Sequence, residues 1–435
     1  MVLLIVLIST LIYYYGVKGI LSFAIIGYLS APSEFLGGYR VIINILVTGL
    51  LFFSFIKEFG IDFNKYPKVP KQVLVFLLIL FGSIVISTIF STDLYTGFFT
   101  IFTVAAFYII CYMFYAFLKD EKNISLYIYS ICAAVVIISI RMFFDLYNLG
   151  FENFLIRGLL SDNIQLYSSS IYTGSVIFFI SATLLASMYF MDNFKKKKYK
   201  ILLTILFSLN VIILILSNSR GLIIAALLAI SFLVLVFKRI LFLKILTSII
   251  VIFVLVVFMF PEFEDSFNFY FRTGTTNREI FWGAGIDIIN DYPIVGVGPH
   301  LFDKYFYSYA PSVVLEIKEW KAGSHTPHNF FLYYAAENGI LGFIAGVSLF
   351  LIWFYIVGQV MRFSKRNNKH YFILSVAIFG IGIGFFVRSF VEVTGFLYYG
   401  YITTDLPFWL IFGILISIYQ KYIVPNPNHL NKTKI

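Results

Sequence analysis

Long apolar runs recur from one end of the chain to the other, and no other feature limits its fold as strongly. The candidate spans are 2–15 with 17–30, 41–57, 72–89, 94–118, 124–143, 171–192, 201–217, 220–237, 240–260, 329–354, 371–387 and 405–421. Most reach the roughly 20 residues that a helix needs to cross about 30 Å of hydrocarbon. The runs are continuous rather than alternating apolar and polar, so helices are the expected spanning elements, not barrel strands. Composition agrees, with 60% hydrophobic and 12% charged residues over 435 positions; a soluble chain carries roughly 25% charged. The expectation is an all-α polytopic integral membrane protein of about 12 transmembrane helices, one membrane domain over residues 1–435. Twelve spans result if residues 2–30 form one broken helix, thirteen if they form two. Cys111 and Cys132 fall inside apolar runs and read as small buried hydrophobes, not as a disulfide or a metal pair. The opening MVLLIVLISTLIYYY has no basic n-region, so it reads as a retained segment rather than a signal peptide.

Charge orients the spans. Lys57, Lys65, Lys68 and Lys71 share one loop, and Lys195, Lys196, Lys197, Lys198 and Lys200 share another. Lys238 with Arg239, and Arg362, Lys365, Arg366 and Lys369, mark two more. An even number of spans separates these clusters, so all can lie on one face, which the positive-inside rule makes cytoplasmic. Lys421, Lys432 and Lys434 fall on the same side. The net charge of +10 therefore reads as orientation and contact with anionic membrane lipids. Nucleic-acid binding is a poor reading, because no basic patch stands apart from the membrane flanks. The regions 31–40, 144–170, 262–328 and 388–404 then lie outside. The large external loop 262–328 holds nine acidic residues against five Lys and Arg, and includes His300, His325 and His328. Within it, Asn277 to Ile289 places Arg278, Trp282 and Gly285 along one helical face. Asp291-Tyr292-Pro293 breaks that helix, and Gly296 and Gly298 predict a tight turn.

Four polar features on the external side are candidates for chemistry. In Ser217-Asn218-Ser219-Arg220-Gly221, Ser219 fits an N-cap and Arg220 the first helical turn. A cation there is locally unfavourable unless an anion joins it at the free backbone N–H groups; the alternative is an arginine snorkelling to the interface. Arg278 beside Trp282 is either a bidentate phosphate ligand or a surface arginine next to an interface tryptophan. In Ser324-His325-Thr326-Pro327-His328-Asn329, Thr326 fits an N-cap and Pro327 the first helical position, so His328 is expected at the second. The positive helix end would favour a neutral imidazole able to accept a proton. Asn329 either orients a substrate hydroxyl or serves the helix start. Capping and interface roles are the alternative for the histidine. A metal is not expected, since no third ligand follows zinc spacing. Arg388 and Glu392, four apart, read first as an i,i+4 pair and second as a sugar or phosphate contact.

These residues resemble a known family. His328-Asn329 followed after nine residues by Gly339-Ile340-Leu341-Gly342 looks like a signature of the bacterial O-antigen ligase and O-antigen polymerase superfamily. Ser217–Gly221 looks like its serine-arginine-glycine segment. Arg278 with Trp282, then Pro293-Ile294-Val295-Gly296-Val297-Gly298-Pro299, looks like its arginine stretch before a glycine-rich turn. His300 departs from the small or polar residue that many relatives carry there. The resemblance covers roughly residues 215–345 and implies a helical membrane glycosyltransferase fold with a large external loop. It implies metal-independent, cofactor-free glycosyl transfer at the outer face of the cytoplasmic membrane, from a polyprenyl-diphosphate-linked glycan donor to a glycan or lipid-linked acceptor. Arg220 and Arg278 would hold the diphosphate and His328 would be the general base. Asn329, Ser219, Trp282, His325 and Arg388 are the candidate substrate-binding residues, and Arg157 and Glu392 remain unassigned.

Polymerisation of lipid-linked repeat units is the first reading, with other proteins of envelope polysaccharide assembly as partners. The alternatives are ligation to lipid A core or another acceptor, transport of an anionic precursor, and a non-enzymatic role in envelope assembly. A transporter would show paired internal repeats or broken midplane helices. Neither is legible in the sequence.

Overall fold

The apolar runs become helices throughout. The computed structural model describes residues 2–30, 39–149, 164–194, 196–216, 219–259, 278–310, 326–399 and 401–425. Among them the α-helices are α1 Val2–Ser30, α2 Tyr39–Phe59, α3 Lys71–Ile89, α4 Leu94–Phe117, α5 Lys122–Leu149, α6 Ile164–Met188, α7 Lys197–Leu216, α8 Arg220–Phe237, α9 Arg239–Met259, α10 Arg278–Asp291, α11 Phe302–Tyr309, α12 Phe330–Asn367, α13 Lys369–Arg388 and α14 Ile402–Tyr422. Nine of the described helices are long and apolar enough to cross a membrane, and Gly16–Ser30 and Val176–Met188 are shorter apolar stretches. Large apolar side chains cover the outside: Leu78 and Phe102 are each 72% exposed and Leu351 66%. Such a surface suits hydrocarbon. The chain is a multi-pass helical membrane protein.

Close backbone packing sets the helix neighbours. On α13, a Cβ added to Gly380 would lie 2.8 Å from the Ala229 carbonyl, and one added to Gly384 would lie 2.9 Å from the Ala225 carbonyl. Small residues four apart on both helices thus form one seam, the means by which helices approach without a hydrophobic drive in lipid. This seam brings the start of α8 to the end of α13. Among the described spans α14 is the most enclosed, 89% buried.

Polar contacts collect the basic loops at one end. Gln420 donates to the Lys68 carbonyl (3.1 Å) and Ser417 to the Leu118 carbonyl (2.8 Å). Lys421 pairs with Glu121 at 2.6 Å and Lys369 with Asp192 at 3.0 Å. Tyr371 packs on Tyr422, while Phe237 packs on both Phe190 and Phe372. The four basic clusters and Lys421 therefore share an end, as their even spacing predicts. Gly16 has φ 54° and ψ −134°, which divides α1. Beyond it, Lys18 shares a cavity with Glu58, Lys65, Lys119 and Asp120 at this same end. If this end is cytoplasmic, cysteines placed at Lys65 and Lys196 in a background lacking Cys111 and Cys132 stay protected from an impermeant thiol reagent in intact cells. A cysteine at Asn290 reacts. The reverse labelling pattern overturns the orientation.

The span expected at 329–354 is corrected by the structure. Gly339 sits inside α12 with φ 62° and ψ −158°, a conformation open essentially to glycine alone. The Phe330 ring lies 6.4 Å from the Phe350 ring, and Phe331 lies 6.0 Å from Phe350. A straight helix would separate residues 20 apart by roughly 30 Å. Residues 330–338 therefore fold back along residues 340–350 as a short antiparallel arm, and the crossing is made by the helix that continues to Asn367. A broken helix is thus present although none is legible in the sequence.

Backbone fills the break. Val297 N–H donates to the Ala336 carbonyl (3.0 Å), Gly298 N–H to the Glu337 carbonyl (2.9 Å) and Ile340 N–H to the Pro293 carbonyl (3.0 Å). A Cβ on Gly296 would lie 2.4 Å from the Glu337 carbonyl, and one on Gly339 would lie 2.1 Å from the Ile294 carbonyl. The two glycine motifs are one interlocked structure. Glu337 completes it: its carboxylate accepts from His300 N–H and Phe302 N–H (both 2.9 Å) and from the Tyr399 hydroxyl (2.6 Å).

Candidate active site

The end opposite the basic loops carries the polar residues singled out from the sequence. Its centre is the entry to α12. Asn329, not Thr326, is the N-cap: its side chain accepts from Leu332 N–H at 3.1 Å, and the helix begins at Phe330. His328 therefore precedes the cap instead of occupying the second helical position. Long-range bonds explain the three-residue difference. Phe330 N–H donates to the Ser389 carbonyl (2.8 Å) and Trp282 Nε1 donates to the Pro327 carbonyl (2.7 Å). These draw 327–330 across the top of α13 before a helix can start.

What faces His328 is a carboxylate. Its Nδ1 lies 3.6 Å from Glu392 Oε2, too far for a formed hydrogen bond and close enough for strong electrostatic contact. Nδ1 is buried and has no other hydrogen-bond partner among the described residues, whereas the side chain as a whole is 32% exposed. The accessible part of the side chain thus excludes Nδ1. Burial works to raise the Glu392 carboxyl, but His328, the Arg388 charge and Val393 N–H outweigh it and hold it at about 2. Glu392 is an anion at neutral pH. The His328 backbone has φ 44°, a left-handed conformation costing on the order of 1–3 kcal/mol for a non-glycine residue. His300 (φ 59°) and Tyr399 (φ 47°) share this feature, and their rings are 4.4 Å apart.

Arg388 and Glu392 are not the i,i+4 pair of one helix, because α13 ends at Arg388 with Ser389 as C-cap. Arg388 is 2% exposed and donates to both the carbonyl and the hydroxyl of Thr394, the latter at 3.1 Å. It ties down the turn that carries Glu392. The start of α8, which carries Arg220, packs on the same turn through Gly221. Ser219 is the N-cap of α8 without a side-chain cap bond, and Arg220 is its first residue. A Cβ on Gly221 would lie 3.2 Å from Val391. Arg278 opens α10, one turn before Phe281 and Trp282. Phe281 meets the His328 ring edge-on at 6.2 Å, and Gly285 lies against Leu332. The α10 face expected from spacing is therefore the face turned to the α12 arm. Ser217, Asn218, Arg157 and His325 lie outside the described residues.

Residues 202–347 match the family model described as O-antigen ligase. About a third of the chain is therefore similar to the O-antigen ligase family. The matched segment runs from α7 past the break in α12, so it contains Arg220, Arg278 and His328 and leaves Arg388 and Glu392 outside. The exopolysaccharide production protein ExoQ of Rhizobium meliloti (strain 1021) is 31% identical over 119 residues, 27% of this chain and 26% of that protein. The match spans about a quarter of that relative's length. The superfamily resemblance of the sequence motifs is borne out.

Local sequence hid the partner of His328. Glu392 is 64 positions away and reads naturally as a neighbour of Arg388. Glu337 was equally silent, because a lone acid in an apolar run carries no spacing signal. A buried carboxylate so close to Gly339 is the one hint that the chain there is not an ordinary span.

Proposed function

We propose that the chain is a membrane enzyme of polysaccharide biosynthesis that polymerises polyprenyl-diphosphate-linked oligosaccharide repeat units at the outer face of the cytoplasmic membrane. The observation that carries the reading is that the helix starts bearing Arg220 and Arg278 pack, through Gly221 on Val391 and Phe281 on His328, beside the His328–Glu392 pair, with Arg220, Arg278 and His328 all in the segment similar to the O-antigen ligase family. The printed name of the relative, a protein of exopolysaccharide production, favours making polymer over decorating lipid A.

The chemistry suits these residue types. The acceptor is a sugar hydroxyl on a second lipid-linked unit. Its oxygen attacks the anomeric carbon of the donor as the bond from that carbon to the diphosphate oxygen breaks. His328 takes the hydroxyl proton, and the polyprenyl diphosphate leaves with the bonding electron pair. Direct displacement inverts the anomeric centre. Arg220 and Arg278 supply charge for the extra negative charge on the leaving diphosphate, which needs no acid to protonate it. Trp282 and Asn329 hold the loop and helix start that present His328. The basic end of the bundle faces the cytoplasm in this reading.

Lysine in place of either Arg220 or Arg278 keeps the charge and loses the planar fork, so kcat/KM for the donor falls about tenfold or more. Wild-type kcat/KM in both lysine variants would remove the arginines from the diphosphate site. Turnover that persists in EDTA is expected, and a divalent-ion requirement contradicts the metal-free mechanism. In cells the test is deletion of the chain. Loss of surface polymer with single lipid-linked units exposed at the outer face supports the enzyme. Units confined to the cytoplasmic face point to transport instead.

A further inference from the structure

The turn after α13 lies beyond the matched family segment, and it carries the carboxylate that faces His328. We propose that Glu392 is the positioning residue of the reaction, holding the proton of His328 on Nδ1 so that Nε2 presents its lone pair to the acceptor hydroxyl. The proposal rests on the function argued above.

Three observations support it. The first is the buried Nδ1 with no hydrogen-bond partner among the described residues and the Glu392 carboxylate as its facing group at 3.6 Å. A buried nitrogen beside an anion is stabilised as N–H, whatever the state of the other nitrogen. Such contacts are often long in the absence of substrate and tighten when it binds. The second is that the carboxylate is itself fixed. Val393 N–H donates to Glu392 Oε1 at 2.9 Å, and Arg388, anchored on Thr394, places its positive charge on the same turn. The third is the strained backbone of His328. A left-handed histidine persists only where its surroundings over-determine it, and here the Trp282 bond to Pro327, the Asn329 cap and the Ser389 bond to Phe330 all do so. The strained backbone aims the ring with Nδ1 turned inward while the side chain as a whole stays partly accessible.

The experiment joins a spectroscopic and a kinetic reading. Protein labelled with ¹⁵N-histidine is placed in lipid bilayers, and the His328 signals are identified by their loss in His328→Asn. In its neutral imidazole the wild type is expected to carry the proton on Nδ1 and the lone pair on Nε2. Glu392→Gln, whose amide can donate to Nδ1, shifts the proton towards Nε2 and lowers kcat about 10- to 100-fold, with KM for the donor little changed. Glu392→Asp retains the Nδ1 proton and an intermediate kcat. A purely structural role would lower the melting temperature and leave the tautomer alone. A wild-type spectrum with the proton on Nε2 overturns the proposal, even if Glu392→Gln fails to fold. So does a folded Glu392→Gln with wild-type tautomer and kcat. If the wild type transfers no glycan yet shows the Nδ1 proton and its loss in Glu392→Gln, the positioning stands and the function argued above falls.

Discussion

Exchanging His328 for asparagine lowers glycosyl transfer by about two to four orders of magnitude, the usual contribution of a positioned general base, and leaves the protein folded. Asparagine is the informative choice. It tolerates the left-handed backbone that His328 adopts at φ 44°, so the variant removes the imidazole without adding strain. Alanine adopts a left-handed backbone less readily than asparagine, which would mix a folding effect into the kinetics. The melting temperature of His328→Asn should lie close to that of the wild type, because the cap, the Trp282 bond and the Ser389 bond around this position involve neighbours and not the ring. Turnover within a factor of a few of wild type in purified His328→Asn removes the histidine from the chemistry.

Gly339→Ala is the second large effect, and it acts on folding. The added Cβ would sit 2.1 Å from the Ile294 carbonyl oxygen, and the backbone there has φ 62°. Backbone strain of about 1–3 kcal/mol combines with overpacking of about 1–3 kcal/mol against main chain that is already hydrogen-bonded across the break. The interlock of Pro293–Gly298 with Ala336–Ile340 should open, releasing the α12 arm and with it the position of His328. In a mild detergent the variant is expected to lose its monodisperse profile at temperatures where the wild type keeps it. Gly283→Ala, on α10, is the control, since nothing lies within 4 Å of its Cβ position. Equal melting temperatures for Gly339→Ala and wild type contradict the interlock.

The membrane architecture was legible because its cause is local. Each crossing announces itself by a run of apolar residues, and the even spacing of lysine clusters follows from alternate crossing; Lys369 on Asp192 and Gln420 on Lys68 join them as predicted. The site was legible only in its parts. Asn329 and Thr326 are both good caps, and the choice between them is made by Ser389 and Trp282, distant in sequence. The fold-back at Gly339 was hidden for a related reason. Residues 330–350 are mostly apolar whether they form one span or two packed arms, and what separates the cases is the Gly296 turn that fills the break. Arg388 shows the opposite failing. Its i+4 carboxylate was visible, yet the helix stops at Arg388, so the spacing rule no longer governs where Glu392 points.

The central claim is that this chain joins lipid-linked repeat units by itself. Purified protein is given one defined polyprenyl-diphosphate repeat unit as the only glycan substrate, and the products are resolved by size. The expected result is a ladder of products one repeat apart, absent with His328→Asn. A donor shown to be competent that yields no ladder, with transfer appearing only when a separate lipid-core or protein acceptor is added, contradicts it.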